Sequence, residues 1–161
     1  MAKKSLYTVG DVFKLPVGEN IFGIGRILIV QSPVLFVGFF KRVVKNGEPT
    51  SIDNLRGQEY LIRIKCGDPG FKKKEWEIVG NLPLEEKIVV PPFWDRDPLT
   101  NELYLRRYSG SETDPLSIVG FKDRPTTEEE IKKEGAQPDG TFGWKAAEIR
   151  LKYELEKAGV L

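Results

Sequence analysis

Two apolar, β-branched-rich runs, Ile21 to Val30 and Val34 to Val44, are separated only by Gln31, Ser32 and Pro33. Such a pair predicts a long antiparallel hairpin. A shorter strand, Val12 to Leu15, precedes it, ends at Pro16 and turns through Gly18, Glu19 and Asn20. The chain therefore opens as a three-stranded meander. In its middle strand Phe22, Ile24, Leu28 and Val30 share one face, and Ile21, Ile27 and Ile29 the other. A pleated strand that is apolar on both sides needs a sheet that is covered twice or closed on itself.

Further along, Lys45 to Gly57 reads as a polar loop from which Ile52 and Leu55 pack back. Tyr60 to Lys65 alternates as a strand with one wet side, ended by a turn at Cys66 to Gly70. Short strands are expected at Trp76 to Leu82, at Lys87 to Val90, at Glu102 to Tyr108 and over Leu116 to Phe121, with Phe93 to Pro98 as a loop. The period then changes. Thr126 or Thr127 followed three residues later by Glu129 or Glu130 signals a short helix ending at Gly135. A longer helix is expected at Trp144 to Ala158. There Trp144, Ala147, Leu151, Leu155 and Ala158 form one stripe, Glu148 and Lys152 an i, i+4 pair, and Gly159 a C-terminal cap.

Absences narrow the function. No histidine is present, which removes Ser-His-Asp and Cys-His catalysis and histidine-ligated zinc. Cys66 is the single cysteine, so no internal disulfide can form, in keeping with a reducing compartment. The first residues lack the apolar stretch of a signal peptide, and no window is long and apolar enough for a membrane span. A cytoplasmic protein without a membrane partner is expected. With 25 Lys plus Arg against 24 Asp plus Glu, the net charge of +1 gives no general attraction to nucleic acid. By position the balance is +4 over residues 1–94 (14 basic, 10 acidic) and −3 over residues 95–161 (11 basic, 14 acidic).

The motifs that suggest chemistry have simpler structural readings. Gly23-Ile24-Gly25 lies inside a strand and Leu28 stands at the third glycine position, so it is not a dinucleotide fingerprint. Gly23 and Gly25 instead leave a bare patch for an aromatic such as Phe39. Asp95, Asp97 and Glu102 read as turn chemistry rather than paired catalytic carboxylates. Cys66, with no histidine to activate it, reads as a packed side chain. Lys72 to Lys74 beside Trp76, with Arg106, Arg107 and Tyr108, could form a basic, aromatic surface for single-stranded nucleic acid on a barrel. Phe71, Phe93 and Trp94 fall in predicted loops, where large aromatics either tuck beneath the loop or serve an interface.

Read in order, Gly10-Asp11-Val12-Phe13-Lys14-Leu15-Pro16, Gly23-Ile24-Gly25-Arg26-Ile27-Leu28, Phe39-Phe40 and Trp76-Glu77-Ile78-Val79-Gly80-Asn81-Leu82-Pro83-Leu84 resemble the immunity protein 26 family of bacterial polymorphic toxin systems. The resemblance covers roughly the first half of the chain. It implies a mostly β fold with a Gly-x-Gly strand and a characteristic tryptophan, and a protein that shields its cell by binding a toxin. It brings no catalytic residue, cofactor or metal ligand.

The expectation is thus a single domain over residues 1–161, mainly β (α+β): a strongly bent antiparallel sheet or partly open barrel with a C-terminal helix packed on it. Gly23, Gly25 and Trp144 are structural in this reading. Phe71, Trp76, Phe93, Trp94, Arg96 and Arg106 are the candidate contacts for a cognate toxin domain, with a nucleic-acid-binding barrel as the alternative.

Overall fold

In chain order the computed structural model has β1 (Asp11–Gly18), β2 (Ile21–Gln31), β3 (Val34–Lys45), a 3-10 turn (Ile52–Leu55), β4 (Tyr60–Gly67), α1 (Pro69–Lys72), β5 (Glu77–Asn81), β6 (Phe93–Arg96), β7 (Leu103–Tyr108), β8 (Gly120–Pro125), α2 (Glu128–Glu134), β9 (Gln137–Pro138), β10 (Thr141–Phe142) and α3 (Trp144–Lys157). The structure describes residues 6–108, 115–116 and 120–161. Two compact units result, residues 1–87 with 141–161 and residues 88–140. The first holds a six-stranded sheet ordered β10-β4-β3-β2-β1-β5, the second a four-stranded sheet ordered β8-β7-β6-β9.

The meander forms as expected. β2 and β3 pair antiparallel from Ile21 opposite Lys45 to Gln31 opposite Val34, with register shifts at Gly23/Gly25 and Ile27/Ile29. Such shifts bend long strands. They also correct one face: Val30, expected beside Phe22 and Ile24, packs with Ile27 instead, because an offset of one residue turns every later side chain to the other side. β1 runs on through Pro16 to Gly18 rather than ending at Pro16. The proline is accommodated because β5 pairs only with Asp11 to Lys14, leaving Pro16 on an unpaired flank beside a register shift.

The six-stranded sheet stays open and is covered on both faces. On one, Phe13, Leu15, Val17, Ile27, Leu35, Val37, Phe39, Ile62 and Ile64 pack with Ala147, Leu151 and Leu155 of α3. On the other, Val12, Ile24, Phe40 and Val44 pack with Leu55 of the 3-10 turn and Leu82. The two glycines set how closely the layers approach. A Cβ on Gly25 would lie 2.6 Å from Phe13 Cζ and 2.9 Å from Phe39 Cδ1, and one on Gly23 would collide with Leu151 of α3. The predicted bare patch exists, and it seats a helix leucine as well as Phe39.

Several local readings change. β4 has no wet side: Lys65 is buried, and a register shift at Phe39/Phe40 brings Leu61 to the α3 face. The chain closes this sheet edge with a parallel pair, Thr141 and Phe142 beside Lys65 and Cys66. Lys87 to Val90 is not a strand, and Val89 stands exposed ahead of Pro91 and Pro92. Phe93 to Arg96, expected as loop, is the strand β6, paired antiparallel with β7 and parallel with β9. Of the stretch Leu116 to Phe121, residues 117–119 lie outside the described residues; β8 begins at Gly120.

The two helices expected from the sequence, α2 and α3, keep their end signals. Thr127 caps α2 by accepting the Glu130 amide at 3.2 Å, and Gly135 ends it at φ 66°. α3 ends with Gly159 at φ 74°, the Gly159 amide donating to Glu156 and the Val160 amide to Leu155. Trp144 opens α3, half-buried against the sheet, with Lys145 Nζ 4.2 Å from its ring centroid. The predicted Glu148–Lys152 pair does not form, since Glu148 faces Trp76 and Lys145 while Lys152 sits 4.0 Å from Glu156.

Candidate functional site

Of the six side chains predicted to meet a partner, three are buried. Trp76 and Phe71 belong to an aromatic knot beneath α3. The Trp76 ring stacks on Phe13 at 5.4 Å and 13°, meets Phe71 edge-on at 5.3 Å, and donates its indole N–H to Glu148 Oε2 at 2.9 Å. Gly70, where a Cβ would intrude on the indole, lets the ring lie flat on α1. Phe93, fully buried, holds the centre of the four-stranded sheet. A base cannot stack on a ring so enclosed, so the Lys72 to Trp76 surface has no aromatic platform in Trp76. Lys72 itself pairs with Asp68 at 3.2 Å.

Trp94, Arg96 and Arg106 reach the surface of the other unit to differing degrees, and the sheet register places each. Trp94 lies opposite Leu105 and Arg96 opposite Leu103 on one face; Phe93 lies opposite Arg106 and Asp95 opposite Tyr104 on the other. Arg106 pairs with the buried carboxylate of Asp139 at 3.3 Å. Tyr104 donates to Asp95 at 3.4 Å, and burial, reinforced by the negative charge of Asp95, pushes its phenol pKa up. These groups lock the strands together, as neutral and paired groups do in a partly dry environment.

The β6–β7 connection is a tightly tied turn. Asp97 Oδ1 accepts the amides of Leu99 at 2.8 Å and Thr100 at 3.1 Å, an arrangement typical of aspartate in turns. The Asp97 amide donates to Glu102 O, Asn101 takes φ 62° and donates to Asp97 O, and Arg96 Nη1 donates to Asn101 O at 2.8 Å. Turn chemistry thus holds for Asp97, whereas Asp95, read with it as part of a turn, is a residue of β6 paired opposite Tyr104. At the apex of the turn Leu99 is 93 % exposed. The sequence reading missed this residue; the signal was an apolar side chain alone among turn formers, Asp97-Pro98-Leu99-Thr100-Asn101.

Two structural networks were also missed. Arg26, a charge inside an apolar strand, donates from Nε to Leu82 O at 2.9 Å and from Nη2 to Pro83 O at 2.6 Å, tying the segment after β5 to the sheet. Tyr7 donates to the buried Asp68 at 2.5 Å and lies 2.8 Å from Ser32 Oγ, so residues ahead of β1 are fastened to the β2–β3 turn. Burial pushes the Cys66 thiol up to about 12, consistent with a packed, unreactive side chain. Among the described residues no cluster of three or more His, Cys, Asp or Glu could hold a metal, and no helix is long and apolar enough to cross a membrane.

No curated protein and no solved structure matches the chain. The family model of immunity protein 26 matches residues 8–105, from just before β1 to Leu105 in β7. It takes in the Gly-x-Gly strand with its bare patch, the Arg26 staple and the buried tryptophan. With more than half of its length inside that match, the chain belongs to the immunity protein 26 family.

Proposed function

We propose that this protein neutralises a cognate bacterial toxin domain by stoichiometric binding in the cytoplasm, as part of a polymorphic toxin system, with the β6–β7 hairpin as a principal contact. Leu99 carries the choice of surface. It is the most exposed large apolar side chain among the described residues, and it stands on a turn whose backbone is already tied by Asp97 and Arg96. A preformed tip loses little conformational freedom on docking, so more of its buried apolar area is retained as affinity. Trp94 and Arg96 share one face of the strand that leads into the turn and supply residue types that dominate interface energetics. A rigid apolar tip suits insertion into a concave site, which is how a small inhibitor occludes an active centre without chemistry of its own. In this reading Phe93 is the scaffold beneath the hairpin and Arg106 a partly exposed rim charge, while Phe71 and Trp76 belong to the core of the six-stranded unit.

Co-expression with the candidate toxin domain encoded beside this chain tests the proposal. Host growth should be restored and the two proteins should elute as one stoichiometric complex. A toxin that still kills, with no complex formed, would overturn it.

A further inference from the structure

We propose that the open end of β3 is a second docking surface, one that takes an acidic, extended protein segment as an added strand. β4 begins at Tyr60, opposite Phe40. Beyond that point β3 continues from Lys41 to Lys45 with, among the described residues, a strand on one side only: Lys41 and Arg42 fall in the register shift at Gly23/Gly25, and Val43, Val44 and Lys45 face Gly23, Phe22 and Ile21 of β2. The other flank borders a groove of about 410 Å³ lined by Phe40, Lys41, Arg42, Asn54, Leu55 and Gln58.

An unpaired strand flank offers main-chain donors and acceptors to an incoming strand, and the groove beside it supplies selectivity. Phe40 and Leu55 beneath it are both 2 % exposed and packed into the core, so the groove presents the amides of Asn54 and Gln58 and the charges of Lys41 and Arg42. The charged residues lining the groove are Lys41 and Arg42; farther along the strand the Glu48 carboxylate accepts the Lys45 amide at 3.3 Å. Lys41 and Arg42 are exposed and, among the described residues, ion-paired with nothing; Asp53, the nearest acidic residue in sequence to Asn54, lies 3.6 Å from Arg56. The unit that carries the groove, residues 1–87 with 141–161, has 18 basic and 13 acidic side chains.

Lysine on an open strand flank ordinarily discourages copies of a protein from pairing edge to edge. Here that repulsion excludes a second copy of this chain, which would set Lys41 and Arg42 against their own kind. By strand alternation the exposed Lys41 and Lys45 share one face of β3, and they favour a segment bearing Glu or Asp at alternate positions. This surface belongs to the six-stranded unit, and its test needs neither the toxin nor the hairpin.

The experiment uses the full chain, isotopically labelled, and a fluorescein-tagged peptide of about eight residues alternating Glu and Val, with a Lys–Val peptide and an oligothymidylate as comparison probes. The Glu–Val peptide should bind by anisotropy, weaken as salt rises, and shift the amide resonances of Lys41 to Lys45. K41E/R42E, at two exposed positions and with an unchanged circular dichroism spectrum, should lower its affinity about tenfold. Equal binding of the Lys–Val peptide, amide shifts confined to other strands, an unaltered affinity in K41E/R42E, or no binding at all would each overturn the proposal. Oligothymidylate binding through the same amides would reassign the surface to nucleic acid and overturn it equally.

Discussion

Around the six-stranded sheet, apolar side chains exclude water from both faces, with Phe13, Phe39, Phe71 and Trp76 in ring-to-ring contact on one and Phe40 over Leu55 on the other. The four-stranded sheet is built differently. Its described apolar interior amounts to Phe93, Leu105, Leu116, Ala136 and the ring of Tyr104, and charged pairs, Arg106 with Asp139 and Arg124 with Glu134, tie its strands and helix. Dispersion and burial in the first unit depend on shape to within a methyl group, whereas turns and an exposed pair such as Arg124 with Glu134 tolerate exchange; the buried Asp139 of the other pair is the exception. Substitutions in the first unit should therefore be read in stability, and those on the second unit's surface in binding.

Trp76 gives the sharpest form of that contrast. Trp76→Ala removes the stack on Phe13, the edge contact with Phe71 and the bond to Glu148, and leaves a cavity under α3. A loss of about 3–5 kcal/mol is expected, measured as a drop in the urea midpoint by circular dichroism. A loss below about 1 kcal/mol would mean that the knot is not what holds α3 to the sheet.

Cys66 reports on the same interior. With its thiol raised by burial from an ordinary value of 9.0 to about 12, the thiolate fraction near pH 8 falls on the order of a thousandfold. Iodoacetamide should leave the native chain unmodified and label it promptly in urea. A thiol whose pKa is raised in the fold contributes stability that is whole below about 9 and is lost as pH climbs toward 12, so Cys66→Ala should flatten the decline in the urea midpoint over that alkaline range.

Gly25→Ala is the next largest. Its added Cβ meets ring carbons of Phe13 and Phe39 at 2.6 and 2.9 Å, inside van der Waals contact, and neither ring can withdraw from the packed face. About 1–3 kcal/mol is expected, by the same urea measurement. The bare patch was readable because two glycines two residues apart in a strand must share a face. Much else was readable for similar local reasons: in this unit double-faced strands announce a covered sheet and Gly159 a helix end, and in the other Thr127 with Glu130 announces a cap. What was hidden depends on distant partners. Nothing near Trp76 in sequence reveals that Glu148, 72 residues on, accepts its N–H, so a tryptophan flanked by lysines looked like a surface residue. Nor does sequence mark the shift at Ile27/Ile29 that turns Val30 over. β6 was masked by its own composition, because Asp95 and Arg96 are strand residues here and the turn proper starts at Asp97.

In the second unit the cap of α2 should matter less. α2 buries no side chain fully, and Thr127→Ala forfeits one bond to the Glu130 amide at 3.2 Å. About 1 kcal/mol is expected, seen as faster hydrogen exchange at Glu130 while Trp76 fluorescence in the first unit stays as in the native chain. A collapse of the six-stranded sheet in Thr127→Ala would break the separation between the units.

Leu99 stands at the far end of the scale. Truncating a side chain 93 % exposed removes almost no buried area, and the turn beneath it is held by Asp97 and Arg96 rather than by the leucine. Leu99→Ser should shift the urea midpoint by an amount within about 0.5 kcal/mol of zero. Binding should respond in the opposite proportion. If the tip is an anchor, its loss costs the complex about 2 kcal/mol or more, a rise in Kd of more than tenfold by calorimetry against the toxin domain. Trp94→Ala and Arg96→Ala should weaken binding in the same sense, with Arg96→Ala also loosening the turn through its lost bond to Asn101. A Leu99→Ser protein that binds as tightly as the parent would remove the hairpin from the interface and leave the contact to be sought on the first unit, where the flank of β3 beyond Phe40 lies open.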